Sequence, residues 1–127
     1  MVTHKKTNFN NAKLTEVTAH GASFSKSQFK NTNFNGADLT QADMSYSTIY
    51  GANFMNTKLS HAIFDNSMFI VKSDFSNAVF IDTKLDGVKF DGCVFNDADF
   101  TNSSLKDVDF GYSYLQFTNA DLSGAIW

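Results

Sequence analysis

The sequence predicts an all-β chain wound into a solenoid, and three spacings predict it. Large apolar residues recur at every fifth position from Phe9: Leu14, Ala19, Phe24, Phe29, Phe34, Leu39, Met44, Ile49, Phe54, Leu59, Phe64 and Phe69 follow. After one extra residue the series resumes as Phe75, Phe80, Leu85, Phe90, Phe95, Phe100, Leu105, Phe110 and Leu115, and after two more it reaches Leu122 and Trp127. These 24 centres take up 13 of the 14 Phe and all seven Leu. Two residues before each centre the side chain is small: ten Ala, six Ser, four Thr, three Val and Cys93. Two residues after it, 15 of the 23 available positions are Gly, Asn or Asp, which accept turn and left-handed backbone at little cost.

Each five-residue unit therefore has one small inward residue, one large inward residue and three outward ones. Neither the two-residue alternation of a half-buried strand nor the 3.6-residue period of a helix fits this pattern. A unit that turns every five residues cannot bury its own large side chain. Stacked coils can, with backbones paired at about 4.8 Å, and each buried Phe or Leu then contributes about 1.5 to 3 kcal/mol. The core is expected to be built from such centres, among them Phe24, Phe34, Phe54, Phe64, Phe80, Phe95, Phe100, Leu39, Leu59, Leu85 and Leu105.

At 127 residues, with 43% hydrophobic residues and no proline, the chain is read as one domain, residues 1–127. Repeats begin near residue 7, and register slips are expected near 70–73 and 116–119. Ten Lys and no Arg against twelve Asp and one Glu give a net charge of -3, too mild to imply a polyanion partner or disorder. One cysteine excludes an internal disulfide framework, and no stretch is long and apolar enough to read as a leader or a membrane span. A cytoplasmic location is the expectation.

The units resemble those of pentapeptide-repeat proteins, whose motif is A-[D/N]-L-x-x. The nearest copies are Ala37-Asp38-Leu39-Thr40-Gln41, Ala42-Asp43-Met44-Ser45-Tyr46, Ala52-Asn53-Phe54-Met55-Asn56, Ala98-Asp99-Phe100-Thr101-Asn102 and Ala120-Asp121-Leu122-Ser123-Gly124. The resemblance implies a right-handed quadrilateral parallel β-helix with four repeats per coil, hence about six coils. Every fourth centre then stacks on one face. Face one is expected to stack Phe9, Phe29, Ile49, Phe69, Phe90 and Phe110, and face two Leu14, Phe34, Phe54, Phe75, Phe95 and Leu115, with Phe117 as the competing last centre. Face three stacks Ala19, Leu39, Leu59, Phe80, Phe100 and Leu122; face four stacks Phe24, Met44, Phe64, Leu85, Leu105 and Trp127.

Little on these faces reads as chemistry. Asp65 and Asp86 fall in one outward column, but Lys106 lies below them and a flat rod face offers no cleft, so they are read as a surface ladder. His20 and His61 lie two coils apart, about 10 Å at ladder spacing, too far to share a metal ion. Cys93 takes a small inward position and is read as a buried, inert thiol. No base accompanies the many Ser and Thr. No catalytic residue, cofactor or metal is expected.

Two surface features stand out instead. Tyr50, Ile63, Met68, Ile70, Val71, Val79 and Ile81 read as an apolar patch beside the first slip, a candidate partner site. Tyr112, Tyr114, Leu115, Phe117, Ile126 and Trp127 make the last coil aromatic, and a stacked β-rod exposes unpaired backbone at its ends, so a homodimer through the C-terminal coil is expected. A removed cap on a longer chain is the alternative.

Charge divides along the chain: residues 1–63 carry +3 and residues 64–127 carry -6. The leading functional expectation is a non-catalytic scaffold that binds an unidentified protein. The alternative comes from the resemblance, since some members imitate DNA, bind type II topoisomerases such as DNA gyrase and protect them from quinolones. Asp65, Asp86, Asp91, Asp97, Asp99, Asp107 and Asp109 are the acidic surface that alternative would use. Neither reading involves direct contact with nucleic acid or a membrane.

Overall fold

In the computed structural model, which describes residues 6–65 and 68–127 apart from the side chains of Tyr114 and Leu115, the chain winds as a parallel β-helix. Face one carries the regular strands β1 (Gln28–Lys30), β2 (Thr48–Tyr50), β3 (Phe69–Val71) and β4 (Lys89–Asp91), paired in parallel in that order. The other faces meet through single bridges such as Lys13↔Asn33, Asn33↔Asn53, Asn53↔Asp74 and Asp74↔Val94. The sides are short because a corner interrupts every fifth residue.

Those corners share one conformation. The residue two places after a centre has positive φ even where it is not glycine: Glu16, Lys26, Gln41, Tyr46 and His61 all lie between φ 58° and 63°. The enrichment in Gly, Asn and Asp lowers the cost of a geometry that the winding imposes on whatever residue sits there. Most corners are closed by a turn, as where the Ala37 amide donates to the Phe34 carbonyl at 2.9 Å, whereas after β2 and β4 the Ala52 and Cys93 amides donate to the Ser73 and Ser113 hydroxyls at 3.1 and 2.8 Å. The remaining backbone groups pair along the rod axis: the Phe34 amide donates to Asn53 O at 2.7 Å, and the Asn53 amide to Thr32 O at 2.9 Å.

The recurring chemistry of each unit follows from two further bonds. In the column just before the centres, Asn and Asp side chains accept from the amide two residues ahead: Asp38 from Thr40 at 3.0 Å, Asn53 from Met55 at 2.9 Å, Asp74 from Ser76 at 2.9 Å and Asp99 from Thr101 at 2.9 Å. These Asx turns satisfy an amide at the corner and explain why the position is polar. In the small inward column, hydroxyls donate to the centre carbonyl of the preceding coil: Ser47 to Phe24 O at 2.9 Å, Thr57 to Phe34 O at 3.1 Å and Thr83 to Leu59 O at 2.8 Å. Ser and Thr are thus accommodated inside an apolar core, and among the described residues no buried side-chain polar atom lacks a partner.

All eleven core residues expected above are buried. Face two contains a stack of rings, Phe34–Phe54 at 5.0 Å, Phe54–Phe75 at 4.8 Å and Phe75–Phe95 at 5.3 Å, each within 19° of parallel.

Two register assignments are corrected. On face one Ile49 pairs with Ile70, and Ile70 with Phe90, so Ile70 is the centre and Phe69 points outward. The extra residue lies between Phe64 and Met68, ahead of β3, and not at 70–73. Bridges step by 20 residues at Asp43↔Ile63 and by 21 at Ile63↔Lys84. Met68 then takes the small inward position and is buried with Ile70. In the last coil the second slip falls between Asp109 and Gln116, where a 3-10 helix, Gly111–Leu115, takes up two residues. Phe117 therefore replaces Leu115 as the face-two centre, its ring 4.9 Å from that of Phe95.

Candidate functional site

The corrected register creates a surface feature. Residues flanking the face-one centres point outward, so β2 presents Thr48 and Tyr50, and β3 presents Phe69 and Val71. Tyr46, at the corner leading into β2, is 59% exposed; Phe69 is 55% and Tyr50 40% exposed. These side chains surround a depression of about 430 Å³ with Ser47, Ile49 and Met68 also in its wall. Leaving these three aromatics about half in water forgoes part of the about 1.5 to 3 kcal/mol that full burial of such a side chain supplies, and Phe69 is the one exposed Phe among the described residues.

Lysines surround the aromatics. Lys30 Nζ lies 6.0 Å and Lys72 Nζ 5.8 Å from the Tyr50 ring centroid, at the outer limit for attraction to a ring face. Lys89 pairs with Phe69 across β3 and β4, and the Lys26 amide bonds to Ser45 O beside Tyr46. Among the described residues none of these four ammonium groups is in an ion pair, whereas His61 and Asp82 meet at 3.8 Å on exposed corners between faces three and four.

The apolar patch expected from sequence divides. Tyr50 and Val71 belong to face one, exposed Ile63 lies on face four, and half-buried Val79 and Ile81 lie on face three. Met68 and Ile70 leave the patch altogether, because the earlier position of the slip turns both inward. Tyr46 and Phe69 were missed. A signal for each was present: Tyr46 is a large aromatic at a corner otherwise rich in Gly, Asn and Asp, and Ile70 continues the β-branched centre at Ile49.

At the C-terminal coil Tyr112, Ile126 and Trp127 are exposed and Phe117 is half-buried, while the side chains of Tyr114 and Leu115 lie outside those described. Phe110, Phe117, Leu122 and Trp127 line a depression of about 200 Å³ there.

The acidic residues do not form one surface. Asp91 and Asp109 flank face one, Asp99 lies on face three, Asp65 and Asp86 lie on face four, and Asp97 and Asp107 sit at corners with φ 58° and 57°. Several are engaged locally. Asp86 accepts from the Ser104 hydroxyl at 2.5 Å and the Lys106 amide at 3.1 Å; Asp109 accepts from the Gly111 amide at 2.8 Å. Asp99 also accepts from the Thr101 hydroxyl at 2.5 Å.

Cys93 is buried, its Sγ 3.4 Å from Ile70 O, and burial pushes the thiol up to about 11. Among the described residues no group of three His, Cys, Asp or Glu is placed to hold a metal ion, and no helix is long and apolar enough to cross a membrane.

Comparison with known proteins agrees with this architecture. No curated protein matches the sequence. Among solved structures, a trypsin-treated variant of QnrB1, a plasmid-mediated fluoroquinolone resistance protein, is 19% identical with a TM-score of 0.53; the match covers 97% of this chain and 90% of that one. A pentapeptide repeat protein, Rfr23, from the cyanobacterium Cyanothece 51142 is 10% identical with a TM-score of 0.43, over 98% of this chain and 90% of that one. Residues 47–120 match the family model described as a pentapeptide repeat region, and residues 4–31 and 22–60 match pentapeptide repeats in eight copies. With more than half its length matched in this way, and with the corners, inward columns and axial pairing that the repeat requires, the chain belongs to the pentapeptide-repeat family.

Proposed function

We propose that this chain is a non-catalytic interaction rod that recognises another protein through face one. The observation that carries the reading is the concentration of exposed Tyr46, Tyr50 and Phe69 on one side of the rod, within a set of lysines. A binding role is further supported by the commitment of inward hydroxyls to backbone carbonyls, which leaves them no part in nucleophilic chemistry. Photo-crosslinking residues placed at Tyr50 and Phe69, and at exposed Lys58 on face three as a control, test this in cells. Adducts are expected from the face-one positions and not from the control; equal labelling from both faces overturns the reading.

A second reading rests on the -6 charge of residues 64–127, set against +3 for residues 1–63. An acidic rod of this kind suits a groove built for duplex phosphates, with a type II topoisomerase as the partner. Against it stands the distribution of the carboxylates around the rod, many of them serving local turns. A DNA gyrase supercoiling assay with and without a quinolone decides: inhibition or protection establishes the mimic, and neither effect retires it.

A further inference from the structure

Resting on the reading of face one as the recognition face, we propose that its occupant is a second copy of this chain, packed side by side and antiparallel. The outward pairs of face one run down the rod as Asn8 and Asn10, Gln28 and Lys30, Thr48 and Tyr50, Phe69 and Val71, Lys89 and Asp91, and Asp109 and Gly111. A two-fold axis lying in the face, across the rod between the Tyr50 and Val71 levels, reverses this order while keeping each column opposite itself. Tyr50 then faces Val71 of the second copy, and Phe69 faces Thr48. One level out, Lys30 faces Asp91. At the corner leading into the face, Lys6 faces Asp107. Each contact occurs twice.

The charge distribution selects this orientation over the parallel one. Residues 1–63 carry +3 and residues 64–127 carry -6, so antiparallel rods set opposite charges side by side, whereas parallel rods set like against like. Moving the axis one level toward the N-terminus places Phe69 against the Asn8 and Asn10 level and Tyr50 against Lys30, and loses the apolar contacts. The face is about 25–30 Å tall and about 15 Å wide at ladder spacing, which buries on the order of 800 Å² in total. That is below a standard stable interface, so association is reversible and concentration-dependent.

Sedimentation equilibrium on the full chain over a wide concentration range tests the proposal, with melting curves confirming that each variant folds. The wild-type chain is expected to dimerise, and Phe69→Lys to remain monomeric. Lys30→Asp and Asp91→Lys are each expected to weaken the dimer about tenfold, and the double variant to recover it. The parallel arrangement would set Lys89 against Asp91 and give no recovery. A chain that is monomeric throughout, a double variant without recovery, or a dimer abolished by Trp127→Asp and indifferent to Phe69→Lys overturns the proposal. If the chain is monomeric and crosslinks at Tyr50 and Phe69 still form, the recognition face stands with a different protein on it.

Discussion

The ring of Phe117 lies over that of Phe95 at 4.9 Å and 18° from parallel, although the two are not at the spacing of the repeat. Packing decides the register of the last coil: a planar ring extends the phenylalanine stack of face two, and the 3-10 helix absorbs the excess chain that this requires. Phe95→Ala should cost about 3 to 5 kcal/mol in chemical denaturation, because the cavity opens in the middle of the stack. Phe117, half-buried and stacked on one side, should cost about half as much when changed to alanine. Equal losses at the two sites would show that the stack is not the source of stability.

Neighbouring Phe69 and Ile70 give a sharp test of the first slip. Ile70→Ala should lose about 2 to 5 kcal/mol, whereas Phe69→Ser should change stability by about 0.5 kcal/mol or less. Reversal of that order would return the centre to Phe69.

Asp38 illustrates how the turn chemistry links to pH. The Thr40 hydroxyl, and then its amide, hold the Asp38 carboxyl below the ordinary carboxylate value, opposed by slight burial. Asp121 is lowered in the same way by Ser123. A depressed folded-state pKa means that the contribution is present above the ordinary carboxylate value and is lost as pH falls through the folded one. Carboxyl resonances of Asp38 and Asp121 should therefore titrate below ordinary aspartate, and Asp38→Asn, which retains the acceptor oxygen, should keep stability at neutral pH while removing that site's share of the acid sensitivity. Ordinary titration midpoints would discount the turn bonds.

Cys93 carries the opposite sign. Burial first of all raises its thiol to about 11, so the folded chain holds the proton while the unfolded chain releases it from about pH 8.5 to 9. Stability should be unaffected below that range and decline above it, by up to about 2 to 3 kcal/mol near pH 11. Cys93→Ser fits a column already occupied by Ser73 and Ser113, the latter bonded to the Cys93 amide at 2.8 Å. The variant should match the wild type at pH 7 and lose less stability between pH 9 and 11; identical alkaline curves would show that the thiol does not contribute.

The winding was legible in the sequence because each unit repeats its steric demands: a large side chain, a small one and a corner at fixed spacing. Met68-Phe69-Ile70-Val71 was not, since four consecutive apolar residues offer a centre at two positions and only the neighbouring coils choose between them. The surface suffered from the same ambiguity, because shifting one centre by one residue exchanges inside for outside along that side. The aspartates showed another limit. Composition registers their charge, whereas the turn bonds that account for Asp99 and Asp109 become visible only with the backbone in place.

Apart from the turn bonds at the corners, the backbone bonds of this rod run along its axis, from one coil to the next. Under tension applied along that axis the interfaces between coils bear the same load in series, so the weakest of them parts first. Force applied across the rod instead loads many pairings together. The molecule is thus mechanically anisotropic, weak when pulled lengthwise and resistant when sheared sideways.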